Sequence, residues 1–255
     1  MQLAVIGVSG RYPMAENLQE FWENLKSGRD CITEIPPERW DHRRYTETSP
    51  TGSSAPCYAR WGGFLKGVDR FDPLLFQISP REAELMDPQE RLFLETVWEV
   101  IEDAGYRWDR LTGERVGVFA GVMWSQYGLF RGRDPETSAP IVPEASFASV
   151  ANRASYFFNF TGPSFAVDAM CSSSLVAVQL ACESILRGES SIAVAGGVNL
   201  TLHPSKHIYL CQCGFASTDG RCRSFGAGGD GYAPSEGAGA VLIKPLDRAV
   251  ADRDH

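Results

Sequence analysis

Short apolar runs recur along the chain and predict the strands of a buried sheet. The first run contains β-branched residues and ends in glycine, as a buried parallel strand would. The intervals between the runs are long enough to hold helices. The five runs are "LAVIGVSG" at 3–10, "RVGVFAGV" at 115–122, "SFAVDA" at 164–169, "SIAVAGGVNL" at 191–200 and "AGAVLIKPL" at 238–246.

Between these runs, apolar positions recur at the spacing of an α-helix. The clearest segment is "PQERLFLETVWEVIEDAG" at 88–105, with early acids, an apolar face and a closing glycine. The acids of residues 81–103 are expected on the solvated side of a helix. Further helices are predicted at 18–25, 145–158 and 175–186. Alternating strands and helices predict an α/β layered domain with a largely parallel sheet buried on both faces.

One long stretch, residues 31–67, departs from this alternation. It is rich in proline, glycine, serine, threonine and arginine, a composition typical of irregular surface structure. We expect this excursion to pack on a neighbouring surface or on a partner domain. Nothing in it suggests chemistry.

Composition and charge exclude several classes of protein. The chain has 255 residues, of which 44% are hydrophobic, enough for a real core. Its formal net charge of -8, without a long basic run, argues against binding to nucleic acid or to an anionic membrane. The basic spots Arg43–Arg44 and Arg221/Arg223 are interpreted as solvated faces. The first residues form neither a signal peptide nor a membrane span, so we expect a soluble, cytoplasmic protein.

Two patterns resemble a metal site and a dinucleotide site but lack the required context. Seven cysteines in a chain without an export signal indicate reduced thiols. The group His207, Cys211, Cys213 and Cys222 lacks the paired spacing of zinc ligands, so no metal site is predicted. "GAGGDG" at 226–231 matches Gly-x-Gly-x-x-Gly, but no clear strand precedes it and no helix follows, so we interpret it as a loop.

The stretch "VDAMCSSSLVAVQLAC" at 167–182 carries the best candidate for chemistry. Cys171 lies where a helix begins, and the N–H groups and dipole there favour the nucleophilic thiolate and can stabilise an oxyanion formed from a thioester. Ser172 to Ser174 suit a helix start, where they satisfy backbone N–H groups, and no Gly-x-Ser-x-Gly elbow is present. Position alone leaves Cys171 open between a nucleophile and a small buried residue, as Cys182 is expected to be.

Longer motifs cover almost the whole chain. They are "AVIGVSGRYP", "RWGGFL", "VDRFDPLLFQISPREAELMDPQERLFLETVWEVIEDAGY", "VGVFAGV", "ANRASYFFNFTGPSFAVDAMCSSSL", "GGVNL" and "FASTDGRCRSFGAGGDGYAPSEGAGAVLIKPLDRAVADRDH". In sequence and in order they resemble the β-ketoacyl synthase (ketosynthase) domains of modular polyketide synthases. Met170, "HPSKHIYL" and "GAGGDGY" are most like the trans-acyltransferase branch, whose modules use a separately encoded acyltransferase.

The resemblance implies a thiolase-like fold, in which two similar α/β halves sandwich shared helices, normally in a homodimer. It implies that Cys171 accepts an acyl chain from the phosphopantetheine of an acyl carrier protein, and that its backbone N–H forms half of an oxyanion hole. A malonyl unit on a carrier protein then loses carbon dioxide and attacks the thioester. No cofactor is bound directly. Met170 and Met123 are expected to touch the acyl chain or to belong to the core.

The chain departs from the family in its histidines. The family's catalytic histidines lie in His-Gly-Thr-Gly-Thr and Asn-x-Gly-His motifs, and this sequence has neither. Its four histidines are therefore given no catalytic role. The five predicted strands account for one half of the fold, so residues 1–255 are interpreted as the N-terminal half of a ketosynthase domain. Because an isolated half would expose an apolar face, we expect the C-terminal half to accompany it.

Two other functions stay open at this point. Ketosynthase-like domains without a working histidine pair can pass acyl chains between carrier proteins without elongating them. A non-catalytic partner or docking subunit is the second alternative. Such partners commonly replace the nucleophilic cysteine, so the intact "CSSS" argues against this last interpretation.

Overall fold

The computed structural model describes residues 1–46, 57–130, 132–133, 140–141, 143 and 146–255. The chain divides into two compact units. The sheet unit comprises residues 1–11, 67–199 and 238–255, and the excursion unit comprises residues 12–66 and 200–237. Residues 47–56 of the predicted excursion lie outside the described residues.

The strands of the described residues include all five predicted ones. They are β1 (Leu3–Arg11), β2 (Thr33–Glu34), β3 (Trp61–Gly62), β4 (Val116–Gly121), β5 (Gly132–Arg133), β6 (Pro140–Ile141), β7 (Ser164–Val167), β8 (Ile192–Asn199) and β9 (Gly237–Pro245). The predicted five form one sheet in the order β1-β9-β8-β4-β7. The other four are two-residue strands that pair as β2 with β3 and β5 with β6.

The helices of the described residues include the four predicted ones, now α1, α4, α5 and α6. The full set is α1 (Leu18–Ser27), α2 (Arg43–Thr46), α3 (Pro80–Leu85), α4 (Pro88–Asp103), α5 (Phe147–Phe158), α6 (Ser173–Leu186), α7 (Ser205–Gln212) and α8 (Leu246–Asp252). Local signals fix the ends of α1: the Asn17 side chain accepts a hydrogen bond from Glu20 N, and Gly28 ends the helix with φ of 63°.

The sheet is mixed, and one strand prediction is wrong. β4 pairs in parallel with both β7 and β8, but β1 is an edge strand antiparallel to β9, not a buried parallel strand. Its Val5 and Val8 are 53% and 37% exposed. Its other face packs so closely on α4 that a Cβ on Gly7 would lie 2.5 Å from Val100 O. An apolar run indicates a buried face, but it does not specify the direction of pairing.

The core of the sheet unit forms where α6 lies on β4 and β8. All six residues of β4 are buried. The helix presents the small residues Ala177 and Ala181 to Phe119 of β4 and Ala195 of β8. Small side chains let the helix approach the sheet closely, which fixes the position of its first turn.

A second correction concerns the acids at the start of α4, which were expected in solvent. The Glu90 side chain is only 1% exposed and accepts a hydrogen bond of 2.8 Å from Arg153 Nε of α5. Arg153 also pairs with Glu82 of α3 at 2.8 Å. Asp87 is buried as the N-cap, where it accepts from Gln89 N, and burial raises the pKa of its carboxyl group. These acids are therefore part of the packing between α3, α4 and α5.

In the excursion unit, the buried carboxylate of Glu236 links segments that are distant in the chain. Its two oxygens accept hydrogen bonds from Leu65 N and Thr201 N, each at 2.8 Å, and from Arg39 Nη2 at 2.9 Å. Burial raises the pKa of this carboxyl group despite the arginine. One side chain thus ties residues 31–67 to residues 200–237 within this unit.

Within the described ranges, no helix is long and apolar enough to cross a membrane.

The Arg153–Glu90 pair gives a test of this packing. Arg153→Met is expected to lower the free energy of unfolding by about 3 kcal/mol, because it leaves a carboxylate buried without its guanidinium partner. The control Arg187→Met removes the exposed pair between Arg187 and Glu183, which is 3.0 Å long, and should cost at most about 1 kcal/mol. Chemical denaturation of the polypeptide that contains this chain measures both. Equal losses of unfolding free energy in the two variants would contradict a special role for the buried Arg153–Glu90 pair.

Candidate active site

A tight turn joins β7 to α6 and presents Cys171. β7 ends at Val167 and α6 begins at Ser173, and the Cys171 side chain is exposed, so the interpretation of this cysteine as a buried core residue is wrong. Met170, directly before it, has φ of 57°. This left-handed conformation costs a non-glycine residue about 1–3 kcal/mol. Such strain is typical of a turn that holds one side chain in a fixed position outside the sheet.

Serine hydroxyl groups hold this turn together. Ser173 Oγ accepts from Ala169 N at 2.9 Å and donates to Met170 O at 2.6 Å, while Ser172 Oγ donates to Ala169 O at 2.7 Å. Asp168 Oδ1 accepts from Met170 N at 3.1 Å. The helix does begin at the serines, but the expectation that they cap its N–H groups is wrong for Ser172, the N-cap, which makes no capping bond. Both hydroxyls bind the turn instead.

Two glycines let the first turn of α6 lie against the ends of β4 and β8. A Cβ on Gly121 would lie 2.7 Å from Ser174 N. A Cβ on Gly197 would overlap Ser174 Oγ. A larger residue at Gly121 must displace the backbone of the helix start, and Cys171 with it, whereas one at Gly197 must first displace the Ser174 side chain.

Met123 and Met170, which were expected to touch the acyl chain or to belong to the core, flank the same edge of the sheet. Gly121 and Val167 are register partners in the parallel pair β4–β7, and Val122 N donates to Val167 O at 3.0 Å. Met123 follows β4 directly and is half-buried, while Met170 is 60% exposed. Because the carboxyl ends of parallel strands meet at one edge, both methionines lie beyond the same end of the sheet as Cys171.

Polar residues of α3 and α4 hold the segment that follows Met123. Gln89 Nε2 donates to Trp124 O at 2.6 Å, and Tyr127 OH donates to Glu84 O at 2.5 Å. The Arg91 guanidinium lies over the Tyr127 ring, 5.8 Å from its centre. These contacts could not be predicted from the sequence, because helical periodicity gives no signal for a polar residue whose partner is distant in the chain.

Two histidines of the excursion unit, His203 and His207, make contacts within the protein. His207 is buried, with Nε2 3.4 Å from Trp61 O and its ring 5.4 Å from that of Trp40. Burial lowers the pKa of its imidazole to about 4. His203 Nδ1 accepts from Ser205 N at 3.2 Å. We therefore interpret both as structural histidines.

Within the part of the chain that the structure describes, His207, Cys211, Cys213 and Cys222 do not come together as one group of ligands. Cys211 faces the thiol of Cys57, with the two sulfurs 3.0 Å apart. Cys222 Sγ accepts from Ala233 N at 3.4 Å. Among the described residues, no group of three or more histidine, cysteine, aspartate or glutamate side chains could hold a metal ion.

Comparison with protein families identifies the class of protein to which this sheet and turn belong. Residues 1–249 match the model of the β-ketoacyl synthase N-terminal domain. The chain belongs to this family.

Curated relatives narrow the class to polyketide synthases. The chain is 53% identical to polyketide synthase PksL of Bacillus subtilis, matching 100% of this chain and 6% of that protein. It is 54% identical to polyketide synthase ThaG of Burkholderia thailandensis, matching 99% of this chain and 4% of that protein. The chain thus spans a small part of the relatives it matches.

Solved ketosynthase structures share the fold. The oxazolomycin ketosynthase domain OzmH KS7 of Streptomyces albus JA3453 is 51% identical with a TM-score of 0.93, and the match covers 100% of this chain and 45% of that one. The module 6 ketosynthase of the bacillaene synthase of Bacillus subtilis 168 is 41% identical with a TM-score of 0.89, covering 99% and 41%. The predicted family and thiolase-like fold are confirmed.

Titration of His207 gives a test of the excursion unit. Because its pKa is lowered to about 4 from 6.5, the folded state binds this proton less readily than the unfolded chain. Its contribution to stability is full above about pH 6.5 and falls by about 1.4 kcal/mol per pH unit as the pH drops towards 4. His207→Phe should remove this part of the pH dependence. Denaturation of the wild type and the variant from pH 7 to 4.5 measures how the free energy of unfolding changes with pH. An identical pH dependence in the two proteins would contradict the lowered pKa of His207.

Proposed function

We propose that this chain is the cysteine-bearing half of a polyketide ketosynthase and that Cys171 accepts the acyl chain. The observation that carries the proposal is the exposed thiol on the strained turn between β7 and α6, in a chain of the β-ketoacyl synthase N-terminal family. A thiol held at one point outside a sheet can meet a substrate brought to it by a carrier. The phosphopantetheine arm of an acyl carrier protein is such a carrier.

The first reaction is acyl transfer between two thiols. The Cys171 thiolate attacks the carbonyl carbon of the acyl-phosphopantetheine thioester, and the carbonyl oxygen becomes an oxyanion. The backbone N–H of Cys171, two residues before α6 begins, supplies one of the two hydrogen bonds that stabilise this oxyanion. The carbon–sulfur bond to the carrier then breaks, and the leaving thiolate takes a proton. The product is a Cys171 thioester.

The second reaction is a decarboxylative Claisen condensation. A malonyl-type unit on a carrier protein loses carbon dioxide, and its carbanion attacks the carbonyl carbon of the Cys171 thioester. A new carbon–carbon bond forms, the carbon–sulfur bond to Cys171 breaks, and Cys171 leaves as a thiolate. The histidine motifs that assist this step in the family do not occur among residues 1–255. We propose that a C-terminal ketosynthase half supplies them.

Exposed apolar side chains on the sheet unit support the proposal that a second half of the ketosynthase domain accompanies this chain. Leu175 and Leu186 of α6 are 76% and 52% exposed, and Phe165 of the edge strand β7 is also exposed. Exposed apolar groups of this size are typical of surfaces that another part of a protein covers. The chain also spans less than half of the solved ketosynthases that it matches. The complete domain is proposed to be a homodimer.

We propose the cofactor, the partners, the location and the branch of the family on the same basis. No cofactor is bound directly, since the phosphopantetheine belongs to the carrier protein. The net charge of -8 favours neither nucleic acid nor an anionic membrane as partner, and the cytoplasm is the proposed location. The trans-acyltransferase branch is proposed from Met170 and from the "HPSKHIYL" and "GAGGDGY" stretches.

Acylation by a small thioester tests the nucleophile. Incubation with an acyl-pantetheine thioester should add one acyl group to the polypeptide that contains this chain, as seen by intact mass and located at Cys171 by peptide mapping. Cys171→Ala should abolish the adduct. Cys213→Ala, which removes another exposed cysteine, should leave it unchanged.

The same experiment separates the alternatives. An adduct that survives Cys171→Ala would overturn the site assignment. An acylated protein that never extends its acyl group when given malonyl carrier protein would indicate transfer without elongation. Absence of any adduct on the complete domain would favour a non-catalytic partner.

The two methionines give a test of acyl-chain selection. Met123→Ala and Met170→Ala are expected to change the ratio of acylation rates for long and short acyl thioesters about tenfold, because they open space beside Cys171. The thermal midpoint should stay close to that of the wild type. If every acyl thioester reacts with the wild-type ratio of rates, the methionines do not contact the chain.

A further inference from the structure

Two buried thiols of the excursion unit lie in direct contact and have no part in the proposed acyl transfer. Cys57 Sγ and Cys211 Sγ are 3.0 Å apart, although 154 positions separate them in the chain. Cys57 lies shortly before β3, and Cys211 lies in the last turn of α7. Both side chains are buried.

The surroundings give the two thiols different roles. Ala59 N donates a hydrogen bond to Cys211 Sγ at 3.3 Å, while Cys57 Sγ donates to Ala59 O at 3.6 Å. Cys211 Sγ thus has a backbone N–H as donor, and the Cys57 thiol has a backbone carbonyl as acceptor. Between the two sulfurs, either thiol can donate. The hydrogen bond between the two thiols lowers the pKa of Cys211 to about 7 and raises the pKa of Cys57. Deprotonation of the pair is therefore favoured at Cys211 over Cys57.

The rest of the environment is apolar and compact. Leu210 and Ala216 are buried against the two cysteines, and Ile208 packs beside them. A disulfide needs its sulfurs about 2.05 Å apart, so closing this bond requires a shift of only about 1 Å. In the described part of the chain, no other two cysteine sulfurs are in such contact.

We propose that Cys57 and Cys211 are a redox pair that a hydroperoxide converts to an intramolecular disulfide. The Cys211 thiolate attacks a peroxide oxygen, the O–O bond breaks, and the leaving hydroxide or alkoxide takes a proton from solvent. Cys211 is then a sulfenic acid. The Cys57 sulfur attacks the Cys211 sulfur, the S–O bond breaks, and the hydroxyl group leaves as water with the Cys57 proton. Two thiols are oxidised and one peroxide is reduced.

The disulfide would link two distant parts of the excursion unit. It joins the segment before β3 to α7 and closes a loop of more than a hundred residues. A cross-link of that span restricts the unfolded chain strongly, so the oxidised protein should unfold at a higher temperature than the reduced one. This effect is independent of the chemistry at Cys171.

Oxidation by hydrogen peroxide tests the pair. The polypeptide that contains this chain is used with Cys171→Ala, so that the exposed thiol does not consume peroxide. Limiting peroxide should lower the intact mass by two hydrogen atoms, with a Cys57–Cys211 cross-link in the peptide map and a higher thermal midpoint that reductant reverses. A Cys213→Ser control should behave in the same way.

Single variants separate the two roles. Cys57→Ser should leave Cys211 as a sulfenic acid, which dimedone traps, and Cys211→Ser should prevent loss of the two hydrogen atoms. A cross-link between other cysteines, a protein that keeps all its thiols, or sulfinic acid at Cys211 while Cys57 is present would each overturn the proposal. None of these results bears on acylation at Cys171.

Discussion

The first turn of α6 lies directly against the ends of β4 and β8 at Gly121 and Gly197, which carry no side chain. A Cβ at either position would meet the backbone or hydroxyl of Ser174. This close approach leaves a short connection from β7, and that connection is closed by Met170 in the left-handed conformation. The position of Cys171 follows from this packing, and every step proposed for the acyl group depends on it.

Buried polar groups hold the elements around that turn and within the other unit. Glu90 and Arg153 join α4 to α5, and Gln89 fixes the segment after β4 by its bond to Trp124 O. In the excursion unit the Glu236 carboxylate accepts from three donors. Desolvating such groups is costly unless all their bonds are made, so each contact specifies one arrangement of its neighbours.

Periodicity in the sequence was sufficient to predict the five strands of the sheet and the helices α1, α4, α5 and α6. It could not predict that β1 runs antiparallel to β9, because an apolar pattern reports burial and not pairing direction. The helices α3, α7 and α8 are too short for a periodic pattern to identify them. The family resemblance, not periodicity, assigned Cys171 its role.

Two of the remaining misses involve partners distant in sequence. Glu90 resembles a solvated acid until α5 brings Arg153 beside it, and Cys57 resembles an isolated thiol until α7 brings Cys211 into contact. Ser172 and Ser173 were expected to bind helix N–H groups, but their hydroxyls donate to the carbonyls of Ala169 and Met170 within the turn. Such choices depend on the three-dimensional path of the backbone.

A crystal structure of the acylated ketosynthase would test the central claim most directly. The account predicts an acyl group on Cys171 Sγ with its carbonyl oxygen about 2.9 Å from Cys171 N, and with Met170 still in the left-handed conformation. An acyl group on a neighbouring serine, or a carbonyl oxygen directed away from the start of α6, would contradict it.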